Sequence, residues 1–103
     1  MQQSTSQNKV FGPSNDPMRE AMFFKAYGKK ARIFVTNVLD GENDWVSSTI
    51  DFKDSSKTYS MIERFHPKSN GKTDCVRLIG EGIDKTFNRC LEAELTVVEL
   101  LNG

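Results

Sequence analysis

The residues with the clearest chemical potential form a mixed basic and aromatic cluster in the first third of the sequence. Its members are Phe23, Phe24, Lys25, Tyr27, Lys29, Lys30, Arg32 and Phe34. Proteins that bind single-stranded nucleic acid need both types, because cations follow the phosphate backbone and aromatic faces stack on bases, at about 1–3 kcal/mol per base. The same pattern is typical of a solvated turn beside core aromatic residues, and the sequence leaves both interpretations open.

Trp45 extends this candidate surface, since it falls on the exposed side of an alternating segment. An exposed tryptophan is a natural stacking platform or interface anchor, whereas the alternative is a half-buried ring under a helix. Arg64 and Arg77 flank the loop 66–72, and a register slip of one residue would reverse their faces. The predicted nucleic-acid-binding residues are Lys25, Lys29, Lys30, Arg32, Trp45, Tyr59, Arg64 and Arg77.

Catalytic and metal sites are not predicted. A serine nucleophile needs a base and an orienting acid, and the only histidine, His66, falls in a loop. His66 with Cys75 and Cys90 supplies too few ligands for zinc. The segment Gly80-Glu81-Gly82 is not a nucleotide-binding fingerprint, because Lys85 stands where the third glycine is required. We therefore expect a protein that is not an enzyme and has no cofactor.

Composition and charge narrow the class of protein. The chain has 103 residues, 37% of them apolar, which is enough for one folded domain. It carries 14 basic and 14 acidic residues, and this neutral total argues against a strong nonspecific polyanion binder. No apolar run reaches the ~20 residues of a membrane span, and the polar N-terminus does not resemble a signal peptide. An intracellular location follows, cytoplasmic or nuclear, or a viral protein in a host cell, without a membrane partner.

The pattern along the chain predicts a β-rich domain. Residues 1–13 are expected to be a flexible tail, and residues 14–103 a single globular domain. Asp16-Pro17 favours a helix that ends at Gly28, with a strand over 22–27 as the alternative. Ala31–Val38 and Trp45–Phe52 surround an Asp-Gly loop and predict a β-hairpin.

Two later segments stay ambiguous. Residues 58–65 fit a strand or a helix, whereas Cys75–Ile79 reads as a strand. Residues 86–100 also fit both patterns, and Thr96-Val97-Val98 favours strand for their second half. Strand signals that recur at this spacing are typical of a small barrel or sandwich.

Residues 31–100 resemble an OB-fold of the kind found in the small and middle subunits of replication-protein-A-like complexes. The stretches that carry this resemblance are Ala31–Val38, Ser48–Asp54, Thr58–Phe65, Cys75–Gly82 and Phe87–Leu100. The resemblance implies a small five-stranded barrel, here with an N-terminal helix packed on it. It also implies binding of single-stranded DNA or RNA across strands two and three. The flanking loops, Leu39–Asp44 and Glu81–Lys85, carry acidic residues, which fits an assembly subunit better than a phosphate-binding groove.

A second resemblance, to Alba-type nucleic-acid-binding proteins, involves Gly80, Ile83 and Lys85. It implies an α+β fold in which a helix begins near Phe87. The sequence thus predicts a non-catalytic, single-stranded nucleic-acid-binding domain. The alternative is a protein-interaction module, either an assembly subunit, with a protein partner or a homo-oligomer, or a small viral inhibitor of a host protein.

Overall fold

The computed structural model describes residues 8–41, 45–65 and 73–103, and in this part of the chain six antiparallel strands form one sheet. The strands are β1 (Asn8–Asn15), β2 (Arg32–Asp40), β3 (Trp45–Lys53), β4 (Thr58–Phe65), β5 (Thr73–Gly80) and β6 (Ile83–Phe87). Helix α1 (Pro17–Tyr27) lies between β1 and β2, and helix α2 (Cys90–Asn102) follows β6. Each strand pairs with its neighbours in sequence, so the sheet is a simple meander.

The sheet is open, and the expected five-stranded barrel is wrong. Closure would require pairing between the first and last strands, whereas among the described residues β1 and β6 are the two edges. The strand count differs because Asn8–Asn15 and Ile83–Phe87 each add a strand that the sequence pattern did not predict, while most of the expected fifth strand, Phe87–Leu100, is helix α2 instead. Both helices pack on one face of this sheet, and that packing buries the apolar side chains that a barrel would have enclosed.

Helix α1 has boundaries that its end residues explain. Asp16 accepts a hydrogen bond at its Oδ1 from the backbone N–H of Arg19 (3.0 Å), and Pro17 suits the first helical position. Gly28 ends the helix in the left-handed region (φ 68°) and donates its N–H to the carbonyl of Phe24. The helix is not the N-terminal element, however, because strand β1 precedes it.

Strand β1 replaces the expected flexible tail over residues 8–13, while residues 1–7 lie outside the described residues. Val10 pairs with Val38 and Phe11 with Asn37, so residues 8–13 belong to the sheet. The register shifts between Phe11 and Ser14, where Gly12 adopts φ 108°. A side chain at Gly12 would collide with the backbone of Val35, so glycine is required at this close approach.

The two ambiguous segments resolve differently. Residues 58–65 form strand β4, paired with β3 and β5. Residues 90–102 form α2, so the strand expected over the second half of 86–100 is wrong. Helical spacing buries Ala93, Val97 and Leu101, whereas Leu91 and Leu95, which a strand would have turned inward, are 61% and 45% exposed.

The core lies between the helices and one face of the sheet, which we call the helix-side face. Its fully buried side chains are Ile33, Ile50, Phe52, Val76, Leu78 and Val97. Phe23 of α1 contacts Phe52 with ring centroids 5.2 Å apart. Tyr27 donates its hydroxyl hydrogen to Glu94 Oε1 (2.6 Å) and joins the two helices; burial, and then this bond, raise its pKa to about 12. In the described part of the chain neither helix is long and apolar enough to cross a membrane.

Candidate nucleic-acid interface

The opposite face of the sheet, the helix-free face, carries the candidate site. Residues directly paired across neighbouring strands project to the same face. The residues of this face on the three central strands are Arg32, Phe34, Thr36, Val38, Asp40, Trp45, Ser47, Thr49, Asp51, Lys53, Thr58, Ser60, Ile62 and Arg64. Antiparallel sheets commonly pack one face on a core and leave the other to solvent, and here the solvated face combines aromatic, cationic and hydroxyl side chains.

Phe34 lies at one end of this face with two cations over its ring. The Cζ of Arg32 is 5.3 Å from the ring centroid, and the Nζ of Lys53 is 5.2 Å away. Arg32 and Lys53 are cross-strand partners in the β2–β3 register, which brings both to the same ring. Arg32 also pairs with Glu20 (Nε to Oε2, 3.2 Å). Lys53 makes no ion pair among the described residues.

Trp45 lies at the other end, at the start of β3. Its side chain is half-buried, and the Cζ of Arg64 on β4 is 5.0 Å from its ring centroid. Arg64 is paired in register with Ser47, two residues along β3 from Trp45. The result is a second aromatic ring with a cation over it. The β3–β4 register thus places Arg64 on the helix-free face, a point that the sequence left open.

The stretch between the two rings is polar and small. Thr36 and Thr49 are paired across β2 and β3, and Ser60 donates its hydroxyl hydrogen to Asp51 Oδ1 (2.6 Å). Phe34 pairs with Asp51, six residues from Trp45 along β3, so the backbone positions that carry the two rings are about 20 Å apart along the strand direction.

Arg77 lies on the same face, nearer the β6 edge. Its Nε and Nη2 donate to the two carboxylate oxygens of Asp84 at 2.8 and 2.6 Å. These hydrogen bonds lower the pKa of Asp84, so the carboxylate stays charged and balances the guanidinium. Arg77 is therefore on the predicted surface, with much of its charge already neutralised.

Four other predicted site residues lie elsewhere. Tyr59 is 3% exposed in the core on the helix-side face, so its inclusion in the site is wrong. Lys29 donates from Nζ to the carbonyl of Leu101 (3.3 Å) and holds the end of α2, a structural role. Lys25 is exposed on α1 and lies away from the helix-free face. Lys30 is exposed with its Nζ 5.7 Å from the Phe24 ring centroid.

The sequence prediction also missed two contributors. Phe34 belongs to the mixed basic and aromatic cluster but is not among the predicted binding residues, and Lys53 is in neither set. The signal that identifies both is the register of the β2–β3 hairpin, because Arg32 and Lys53 at its two ends face the same ring. That register depends on the length of the connecting loop, which the sequence pattern alone does not fix.

The remaining predicted features concern the loops and the question of a metal site. Residues 42–44, with the acidic Glu42 and Asp44, lie outside the described residues, as do His66 and the rest of the loop 66–72. Glu81, in the second acidic loop, accepts at its Oε2 from the backbone N–H of Thr58 (3.4 Å). Within the described ranges no three His, Cys, Asp or Glu side chains cluster in a way that could hold a metal ion.

No protein-family model matches the chain, and no curated protein or solved structure matches it either. The resemblances to replication-protein-A-like and Alba-type families therefore stay predictions.

Proposed function

We propose that the protein binds single-stranded DNA or RNA on the helix-free face of its sheet, without a catalytic step. The observation that carries the proposal is the pair of rings, Phe34 and Trp45, each with a cation within 5.3 Å of its centroid. Both rings lie on the strands β2 and β3, and the arginine over Trp45 comes from β4. A rigid sheet thus holds two stacking platforms and the charges for the intervening phosphates.

Binding on these rings requires the cations to move aside. A cation over an exposed ring is worth about 0.5–1 kcal/mol, whereas a base stacked on the same ring gains about 1–3 kcal/mol. The exchange is therefore favourable before phosphate contacts are added. The displaced lysine or arginine remains within reach of the strand, where it can pair with a phosphate oxygen.

Charge on this face predicts a moderate dependence on salt. Arg32, Lys53 and Arg64 are the cations grouped around the two rings. Arg32 makes one contact with Glu20 (3.2 Å), whereas Arg77 is held by Asp84 through two hydrogen bonds of 2.8 and 2.6 Å. Three phosphate contacts on a single strand give a slope of about −2 in a plot of log affinity against log salt concentration. This value lies far below that of a strongly basic protein and suits a chain of zero formal charge.

The test is a fluorescence titration of Trp45, the only tryptophan, with an oligonucleotide of about 12 nucleotides at several salt concentrations. We expect saturable quenching and a slope near −2. Arg64→Gln should reduce the magnitude of the slope by about 0.7, because one phosphate contact is lost. The matched control is Lys85→Gln, since Lys85 is exposed on the helix-side face of β6. Unchanged fluorescence with folded protein, or binding independent of salt, would refute the proposal.

A second candidate function, assembly with another copy of the chain, is favoured by an apolar surface on the helices. Met18 and Met22 are 74% and 64% exposed on α1, and Leu91 and Leu95 are 61% and 45% exposed on α2. Each pair is four residues apart and so forms a stripe on its helix. Exposed apolar patches with polar rims mark interaction sites.

The charges beside the two stripes are complementary between copies. Lys25 continues the α1 stripe, and Glu99 continues the α2 stripe. In a two-fold dimer each surface meets the other twice, so an α1 stripe packed on the partner's α2 stripe would pair lysine with glutamate. This arrangement would leave the helix-free face open for nucleic acid.

Sedimentation analysis over a range of protein concentrations tests this assembly. We expect a dimer that Met22→Lys or Leu95→Lys converts to a monomer. Val10→Lys provides the control, because Val10 is 62% exposed on β1 and lies outside both stripes. A wild-type protein that stays monomeric at its highest soluble concentration, or variants that still dimerise, would count against the assembly.

A further inference from the structure

A groove lies where α1 meets the ends of β2 and β3, next to the Phe34 end of the helix-free face. Its apolar wall is formed by Ala21, Phe24 and Ala31, and its rim by Lys30, Arg32 and Lys53. Its volume is about 650 Å³, within the range of about 300–1,000 Å³ for small-ligand sites. We call this the terminal groove.

The two carboxylates of the groove are already engaged by the protein. Glu20 Oε2 accepts from the backbone N–H of Ile33 (2.8 Å), from Asn15 Nδ2 (2.6 Å) and from Arg32. Asp54 Oδ1 accepts from the backbone N–H groups of Ser56 (3.0 Å) and Lys57 (2.9 Å). These hydrogen bonds hold one oxygen of each carboxylate against N–H groups of the protein, and the two acids are outnumbered in the lining by three cations, Lys30, Arg32 and Lys53.

The two lysines of the groove contact aromatic rings instead of acidic groups. Lys30 lies over the ring of Phe24, and Lys53 lies over the ring of Phe34. Neither makes an ion pair within the described ranges. A groove with an aromatic wall and two lysines of this kind suits a ligand that is flat and apolar at one end and anionic at the other.

The terminal groove is continuous with the proposed interface. Arg32 and Lys53 line the groove and also lie over Phe34 on the helix-free face. A strand stacked on Phe34 would therefore reach the groove within one nucleotide step. Because the groove adjoins the proposed interface, its expected occupant is a nucleotide of the bound strand.

We propose that the terminal groove holds the last nucleotide of the strand bound on the helix-free face. Its base would pack against Phe24, and its terminal phosphate would lie between Lys30 and Lys53. The inference rests on the proposed function, and it adds a preference for strand ends that carry a phosphate.

The experiment compares oligonucleotides of one sequence that carry a phosphate at the 5′ end, at the 3′ end or at neither, with Trp45 fluorescence as the readout. We expect one phosphorylated end to bind about fivefold more tightly than the unphosphorylated strand, the upper value for a solvent-exposed charge pair. Lys30→Ala should abolish this preference. Lys25→Ala should keep it, because Lys25 is an equally exposed lysine of the same region that does not line the groove.

Phe24→Ala provides a second variant that does not depend on charge. It should weaken binding of all three oligonucleotides, because the last base loses its stacking surface, and Phe24 is 47% exposed, so the fold should tolerate the change. Equal affinity for all three strands, or a preference that survives Lys30→Ala, would overturn the inference while the proposed function stands. If no oligonucleotide changes the Trp45 signal, the proposed function and this inference fall together.

Discussion

The two faces of the sheet are made from alternate residues of the same strands, yet they have opposite chemistry. On β3, Ile50 and Phe52 are almost completely buried beneath the helices. Their neighbours Asp51 and Lys53 lie on the helix-free face, where Lys53 is exposed over an aromatic ring. Because α1 and α2 cover only one face, side chains on the other face can vary with little effect on the core. Substitutions on the two faces should therefore separate the stability of the fold from the proposed binding.

Phe52→Ala should produce the largest effect, and on stability. Phe52 is 0% exposed and contacts the ring of Phe23, so truncation leaves a cavity under α1. We expect a loss of about 3–5 kcal/mol in the free energy of unfolding, measured by urea denaturation. This is a large share of the stability of a 103-residue domain.

Phe34→Ala should instead affect binding. It should weaken oligonucleotide affinity about tenfold, because the lost stacking is worth about 1–3 kcal/mol, as measured by Trp45 quenching. Its free energy of unfolding should change by much less than that of Phe52→Ala. The helix-side control is Met18→Ala, which removes a 74% exposed side chain from α1 and should leave affinity unchanged.

Two outcomes with these variants would contradict the separate roles of the two faces. If Phe34→Ala destabilised the fold as much as Phe52→Ala, the helix-free face would be part of the core in energetic terms. If Met18→Ala weakened oligonucleotide binding as much as Phe34→Ala, the nucleic acid would contact the helices rather than the open sheet.

Elements that depend on neighbouring residues in the sequence were predicted, and elements that depend on contacts between distant residues were not. The β2–β3 hairpin was predicted because alternation over Trp45–Phe52 is a local signal, and the helix boundaries at Asp16 and Gly28 reflect local capping. Strand β1 was missed because Asn8–Asn15 is polar and pairs with β2 across the whole of α1. Its pairing depends on contacts distant in sequence.

The site was predicted in part for the same reason. Strand alternation placed Trp45 on the exposed side of its segment, and Arg32 belonged to the basic cluster, whereas the face of Arg64 stayed open until the β3–β4 register placed it. Tyr59 failed because strand and helix were both open for residues 58–65, and its face depends on the pairing of Tyr59 with Phe52. Helix α2 was misjudged because apolar residues at 91, 93, 95 and 97 alternate like a strand, while burial follows 93, 97 and 101.

Glu20→Gln tests the contact between helix α1 and strand β2, and it should give the smallest change in stability. Glu20 belongs to α1, but its carboxylate accepts from the backbone N–H of Ile33 and from Arg32 of the helix-free face. The Ile33 bond first, and then Asn15, lower the pKa of Glu20 below its ordinary value of 4.5. A pKa that is lower in the folded state means that the unfolded chain binds the proton more readily. The charged carboxylate therefore stabilises the fold above about pH 4.5, and this contribution is lost as the pH falls through the folded pKa.

The measurement is the urea midpoint of wild type and Glu20→Gln between about pH 7 and pH 3. We expect a slightly lower midpoint for the variant at pH 7 and a difference that shrinks as the pH falls, because the wild type becomes protonated while glutamine does not titrate. Asp84→Asn serves as the comparison from the helix-free face alone, since Asp84 has its pKa lowered by Arg77 at a solvent-exposed site. A pH-independent difference for Glu20→Gln would show that the carboxylate's charge does not join α1 to β2. The two faces would then be coupled only through the packing of the core.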